Sequence, residues 1–208
     1  MGNVPCECQD EAFPVEPPSN EGEETRNPLK IGATIPDYHV NTTLGSFHLH
    51  KWLVADSTCP WTVFFSHPKD FTPVCTTELG ECYLLSEHFK KLHTKLLGIS
   101  CDSLEQHRVW SHDVIYRVQK LVGSTDATTE QELSFPIIAD ADRRVVHELG
   151  MTDPDEVDSA GPLPARALVI LHGTTVKLTI MYPATTGRDF HEIIRVLTAL
   201  QRAESSLA

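Results

Sequence analysis

The sequence predicts a single α/β domain with a mixed central sheet and helices on both of its faces. Three observations carry that expectation. Continuous apolar runs of strand length recur, such as Trp61–Ser66 (WTVFFS) and residues 167–171 (ALVIL), and such runs suit strands buried on both sides. Longer segments with helical apolar spacing alternate with them. Towards the end, two strand-like runs joined at His172-Gly173-Thr174-Thr175 read as an antiparallel hairpin, followed by an amphipathic helix.

In chain order, a short extended stretch over 37–41 leads to 47–53, and 61–66 is the first buried strand. Residues 72–94 read as a helix with Leu79, Tyr83, Leu84, Phe89 and Leu92 near helical spacing. A second strand covers 96–100. A second helix covers 104–122, with Trp110, Val114, Val118 and Leu121 on one stripe. Residues 137–139 form a third strand, and 143–149 a third helix stopped by Gly150. The hairpin takes 167–171 and 176–182, and the last helix takes 189–202. This order suggests a thioredoxin-like fold. Fold alone does not give function.

Composition narrows the function classes. The chain has 208 residues and a formal net charge of −12, a sign that repels phosphate backbones, so no nucleic-acid partner is expected. No apolar run approaches the roughly 20 residues that span a bilayer. Residues 1–28 hold seven acids (Glu7, Asp10, Glu11, Glu16, Glu21, Glu23, Glu24), one base (Arg26) and five of the 14 prolines. That composition predicts a disordered acidic tail before a domain spanning 29–208. Six irregularly spaced cysteines and no recognisable secretory leader predict a reducing, cytoplasmic setting, not a disulfide framework.

Chemistry concentrates in His67-Pro68-Lys69-Asp70-Phe71-Thr72-Pro73-Val74-Cys75-Thr76-Thr77-Glu78. This stretch leaves a buried strand and opens a helix. Thr72 reads as the N-cap, Pro73 falls at N1, and Cys75 at N3 lies in the first turn. Backbone N–H groups there lack intrahelical partners and the helix dipole is positive, an environment that stabilises a thiolate. A lone cysteine near a helix start is more often a small buried hydrophobe. The Thr-Pro cap, the preceding core strand and the flanking His67 turn the reading towards a nucleophile.

Pro68-x-x-x-Thr72-x-x-Cys75 resembles the active-site signature of the peroxiredoxins. The longer string FSHPKDFTPVCTTELG (65–80) is similar to their one-cysteine, peroxiredoxin-6-like subgroup, as are PIIAD (136–140), LPAR (163–166) and MYPATTGRDFHEIIRVL (181–197). The resemblance implies thiol-dependent reduction of hydrogen peroxide and organic hydroperoxides, with no cofactor and no metal. It makes Cys75 the peroxidatic thiolate, Thr72 a hydroxyl presented to the peroxide, and Pro68 a shield against water. It makes Arg166 the guanidinium that holds the sulfur anionic, where position alone would equally suit a surface ion pair. His67 is expected beside the pocket, a packing role being the alternative.

Oxidation would leave Cys75 as a sulfenic acid. No cysteine follows Cys101, and Cys82 stands two helical turns from Cys75, about 10.5 Å along the axis and beyond disulfide reach. Cys59 and Cys101 read as core or edge residues. An external thiol, glutathione or a thioredoxin-type protein, is therefore the expected reductant. A homodimer is implied by the family. The likeness ends near Gln201, so the subgroup's usual C-terminal segment is expected to be largely lacking. Some members add phospholipase activity through a Gly-x-Ser-x-Gly-like element. The stretch Ala55-Asp56-Ser57-Thr58-Cys59 lacks both glycines, so that activity is not expected. A redox sensor or holdase chaperone using the same cysteine is the competing function class.

Near the start, Gly2 partly fits a myristoylation site, with Cys6 where Ser or Thr is preferred, and Cys6 and Cys8 are candidate palmitoylation sites. Together they raise the expectation of peripheral anchoring at a cytoplasmic membrane face. The neighbouring acids oppose anionic lipid. An ordinary leader, or more weakly a Cys-x-Cys metal site, are the alternatives.

Overall fold

The computed structural model describes residues 27–123 and 132–206. Residues 1–26 of the tail, with the candidate acylation sites Gly2, Cys6 and Cys8, lie outside the described residues. A seven-stranded mixed sheet runs in the order β2 (Gly45–His48), β1 (His39–Thr42), β5 (Ile137–Ala139), β4 (Thr94–Ser100), β3 (Trp61–Ser66), β8 (Arg166–His172), β9 (Thr175–Tyr182). β3, β4 and β5 are parallel, while β8 pairs antiparallel to β3 and to β9. All six residues of β3 are buried, as its unbroken apolar run predicts for a central strand.

Strand alternation divides the core into two layers. Val63, Phe65, Leu168 and Ile170 face α2 (Pro73–Lys91), α3 (Leu104–Leu121) and α5 (Phe190–Ser205). Phe64, Leu97, Ile99, Val169 and Leu171 face α1 (Leu49–Leu53) and α4 (Arg144–Glu148). α2 and α3 approach closely at Gly80, where an added Cβ would stand 2.8 Å from Val118. No helix among the described residues is long and apolar enough to cross a membrane.

The structure corrects three expectations. The helix predicted over 72–94 ends at Lys91: His93 takes a left-handed φ of 52°, and Thr94 already belongs to β4. Leu84 and Leu121, read as core-facing, are 51% and 85% exposed: Leu84 lies off the α2 face that buries Leu79, Cys82 and Phe89, and Leu121 ends α3 beyond its last buried residues, Val118 and Gln119. A two-stranded sheet of β6 (Thr152–Asp158) and β7 (Gly161–Pro164) was not expected. β6 carries four acids and Pro154 in seven residues, so it shows no apolar alternation.

Candidate active site

β3 delivers the loop 67–72 to the start of α2. Pro73 occupies N1 and the Thr76 N–H makes the first helical bond to Thr72 O at 2.9 Å. Thr72 is the N-cap by position, but its side chain makes no capping bond. Its hydroxyl instead donates to Lys69 O at 3.0 Å, which leaves the oxygen lone pairs available as acceptors. Phe71 holds the loop in a left-handed turn with φ 59° and a half-exposed ring. Pro68 is buried beside His67.

Cys75 is 1% exposed, and Arg166, carried in from the first position of β8, donates from Nη1 to its Sγ at 3.3 Å. The same guanidinium donates from Nε to Ala184 O at 2.7 Å and from Nη1 to Glu78. Glu78 lies one turn after Cys75 and also accepts from Arg188 through its backbone N at 2.7 Å and Nε at 2.9 Å. Arg188 Nη1 donates to Ala167 O, and its guanidinium sits over the rings of Phe65 and Phe190. Burial pushes the Glu78 carboxyl up, but the charge and hydrogen bonds of Arg188, then Arg166, outweigh it and hold the group below its ordinary value.

Charge counting gives this arrangement its chemistry. Among these three groups, two buried guanidiniums share one buried carboxylate, which leaves them with a net positive charge beside Cys75 Sγ. Ala184, which orients Arg166, is itself tied to the β6–β7 sheet, its N–H donating to Asp153 at 2.8 Å.

Thr72 and Cys75 stand together at the start of α2, Arg166 bonds the Cys75 sulfur, and Pro68 is buried in the loop that leads into the helix. Glu78 and Arg188 were missed, although each sits inside a string quoted for its resemblance. Two charged residues in an otherwise apolar helix face and after a strand were the available signal. His67 is buried and bonded to Asp70, and the group His67, Asp70 and His107 has metal-ligand residue types. The remaining thiols differ. Burial pushes Cys82 well above its ordinary value, Cys101 to about 12 and Cys59 upward. At the far end of β3, Asp56 is tied in a turn to Thr58 N and Oγ1, and Ser57 is exposed.

The AhpC/TSA family profile matches residues 31–177. The chain is 46% identical over 176 residues to a 1-Cys peroxiredoxin of Medicago truncatula, covering 84% of this chain and 74% of that protein. It is 43% identical over 176 residues to human peroxiredoxin-6, covering 83% and 73%. Among solved structures, a cysteine-to-serine mutant of Arenicola marina peroxiredoxin 6 superposes with TM-score 0.72 at 43% identity, covering 83% of this chain and 74% of that one. The yeast mitochondrial 1-Cys peroxiredoxin, solved in a study of thiol resolution through glutathione/thioredoxin systems, gives 0.69 at 30%, covering 85% and 78%.

Proposed function

The chain belongs to the AhpC/TSA family as a thiol-dependent peroxidase of the one-cysteine peroxiredoxin type, and from that premise we propose how its residues divide the reaction. Cys75 is the nucleophile. Its sulfur attacks the terminal peroxide oxygen, the S–O bond forms as the O–O bond breaks, and the electron pair leaves on the departing oxygen. That oxygen takes up a proton and departs as water or alcohol. Arg166 compensates the anionic sulfur and then the charge growing on the departing oxygen. Thr72, whose hydroxyl hydrogen is committed to Lys69 O, offers lone pairs to the peroxide O–H. Pro68 closes the pocket wall. The 3.3 Å bond from Arg166 to Cys75 Sγ, inside a cluster short of one negative charge, carries this reading.

The sulfenic acid is then reduced by an external thiol, glutathione or a thioredoxin-type protein, because Cys82 is buried two turns along the same helix. Peroxide consumption with each reductant tests both halves. Wild type is expected to turn over many times and Cys75→Ser not at all. Activity surviving Cys75→Ser, or one stoichiometric oxidation without turnover, would overturn the assignment, the latter in favour of a sensor.

Three further expectations stay as proposals. A homodimer is supported by β9, an edge strand whose Met181 and Tyr182 are exposed; sedimentation at a monomer mass would refute it. A cytoplasmic location is supported by the four described cysteines, all unpaired; fractionation checks it. Acylation of Gly2, with Cys6 and Cys8, rests on the sequence motif; absence of a myristate-analogue label on wild type, compared with Gly2→Ala, would end it.

A further inference from the structure

One buried cluster plays no part in the reaction as written. His67, Asp70 and His107 are 2%, 3% and 0% exposed, and join the peroxidatic loop to α3. His67 Nε2 lies 2.7 Å from Asp70 Oδ1, and His107 Nδ1 lies 2.7 Å from Asp70 Oδ2. Donors around a tetrahedral metal with bonds of 2.0–2.1 Å stand about 3.3 Å apart. Contacts of 2.7 Å are charge-assisted hydrogen bonds instead.

The partners of each ring nitrogen constrain where its hydrogens stand. His107 Nε2 faces Ile138 O at 3.2 Å, and a carbonyl only accepts, so Nε2 carries a hydrogen. Burial pushes the Asp70 carboxyl up, but hydrogen bonds from His107 and His67 outweigh it and hold the group below its ordinary value. As a carboxylate it too only accepts, so His107 Nδ1 and His67 Nε2 are donors. Both contacts of His107 thus call for a donor on its side. A second buried acid, Asp102 just after β4, accepts from Asp70 N at 2.9 Å and from Ser100 Oγ. His67 Nδ1 is left buried with no hydrogen-bond partner. The His67 ring packs 5.0 Å from that of Trp110, whose Nε1 donates to Thr76, the residue after Cys75.

We propose that His107 is a positioning residue for the peroxidase: as an imidazolium it holds Asp70 in place, and Asp70 fixes His67 with its hydrogen on Nε2, so that Nδ1 is presented bare as an acceptor for an O–H donor in the peroxidatic loop. The proposal rests on the peroxidase reading, but its first test does not. Nitrogen-15 NMR of histidine-labelled wild type at neutral pH is expected to show both His107 nitrogens protonated, and His67 protonated at Nε2 alone. A singly protonated His107, a hydrogen on His67 Nδ1, or stoichiometric zinc bound through these two rings would overturn it, whatever the activity.

Two variants then read the consequence. His107→Asn keeps an N–H towards Asp70, and its rate with hydrogen peroxide is expected within about threefold of wild type. His107→Leu leaves Asp70 Oδ2 unanswered; His67 should gain a hydrogen on Nδ1 and the rate fall about tenfold, as expected when a buried acceptor loses its donor. Equal losses in both variants, with the His67 spectrum unchanged, would mean a purely structural role and refute the proposal. Loss of turnover in wild type would refute the peroxidase reading while leaving the ring assignments untouched.

Discussion

Cys75 and Cys82 lie on the same helix, two turns apart, and both are buried at 1% and 0% exposure. They have different surroundings. Around Cys82, burial dominates and pushes the thiol well above its ordinary value; the charge of Arg188 opposes this only in part, and Glu78 and Glu81 reinforce it. Cys75 stands in the first turn with an Arg166 N–H on its sulfur. Burial by itself makes a thiol inert, and on the proposed reading the Arg166 guanidinium is what sets Cys75 apart.

The contrast can be broken from either side. Glu78→Gln removes the carboxylate both arginines share, and the expected outcome is the larger: stability falls by about 3 kcal/mol, the low end for breaking a buried ion pair. Chemical denaturation measures it. A fall below 1 kcal/mol would show that the arginines need no such partner. The pH response follows in sign. The folded-state Glu78 carboxyl lies below its ordinary 4.5, so its stabilisation is complete above that value and fades as pH falls through the lower folded one. Wild type is therefore expected to lose melting temperature more steeply than Glu78→Gln between roughly pH 5 and 3. Parallel curves would remove Glu78 as the source. Smallest is Cys82→Ala, expected to cost about 1 kcal/mol for a small cavity and to leave the peroxide rate within twofold. A large rate loss would give Cys82 a part in the reaction.

The same contrast explains what the sequence made legible. β3 and β5 were read at their observed limits, because unbroken apolar runs between loops leave little choice of face. Cys75 was legible because Thr72 and Pro73 place it in a first turn. The N-cap position of Thr72 was legible, but not that its hydroxyl bonds back to Lys69 and does not cap. Glu78 and Arg188 escaped because their meaning lies in a contact across 110 residues. The β6–β7 sheet escaped because its acids show no alternation, yet Asp153 within it holds the Ala184 segment that orients Arg166. His107, on α3, reads as one polar residue beside an apolar stripe until the fold brings Asp70 against it.

The central claim is that a guanidinium contributed by β8 makes one buried sulfur reactive. The most direct measurement is the second-order rate of Cys75 oxidation by hydrogen peroxide in Arg166→Ala against wild type, followed in a single turnover without reductant. The expected fall is about 100-fold or more, the cost of removing one preorganised donor from developing charge. A rate unchanged within threefold, in a variant that still folds, would contradict the account.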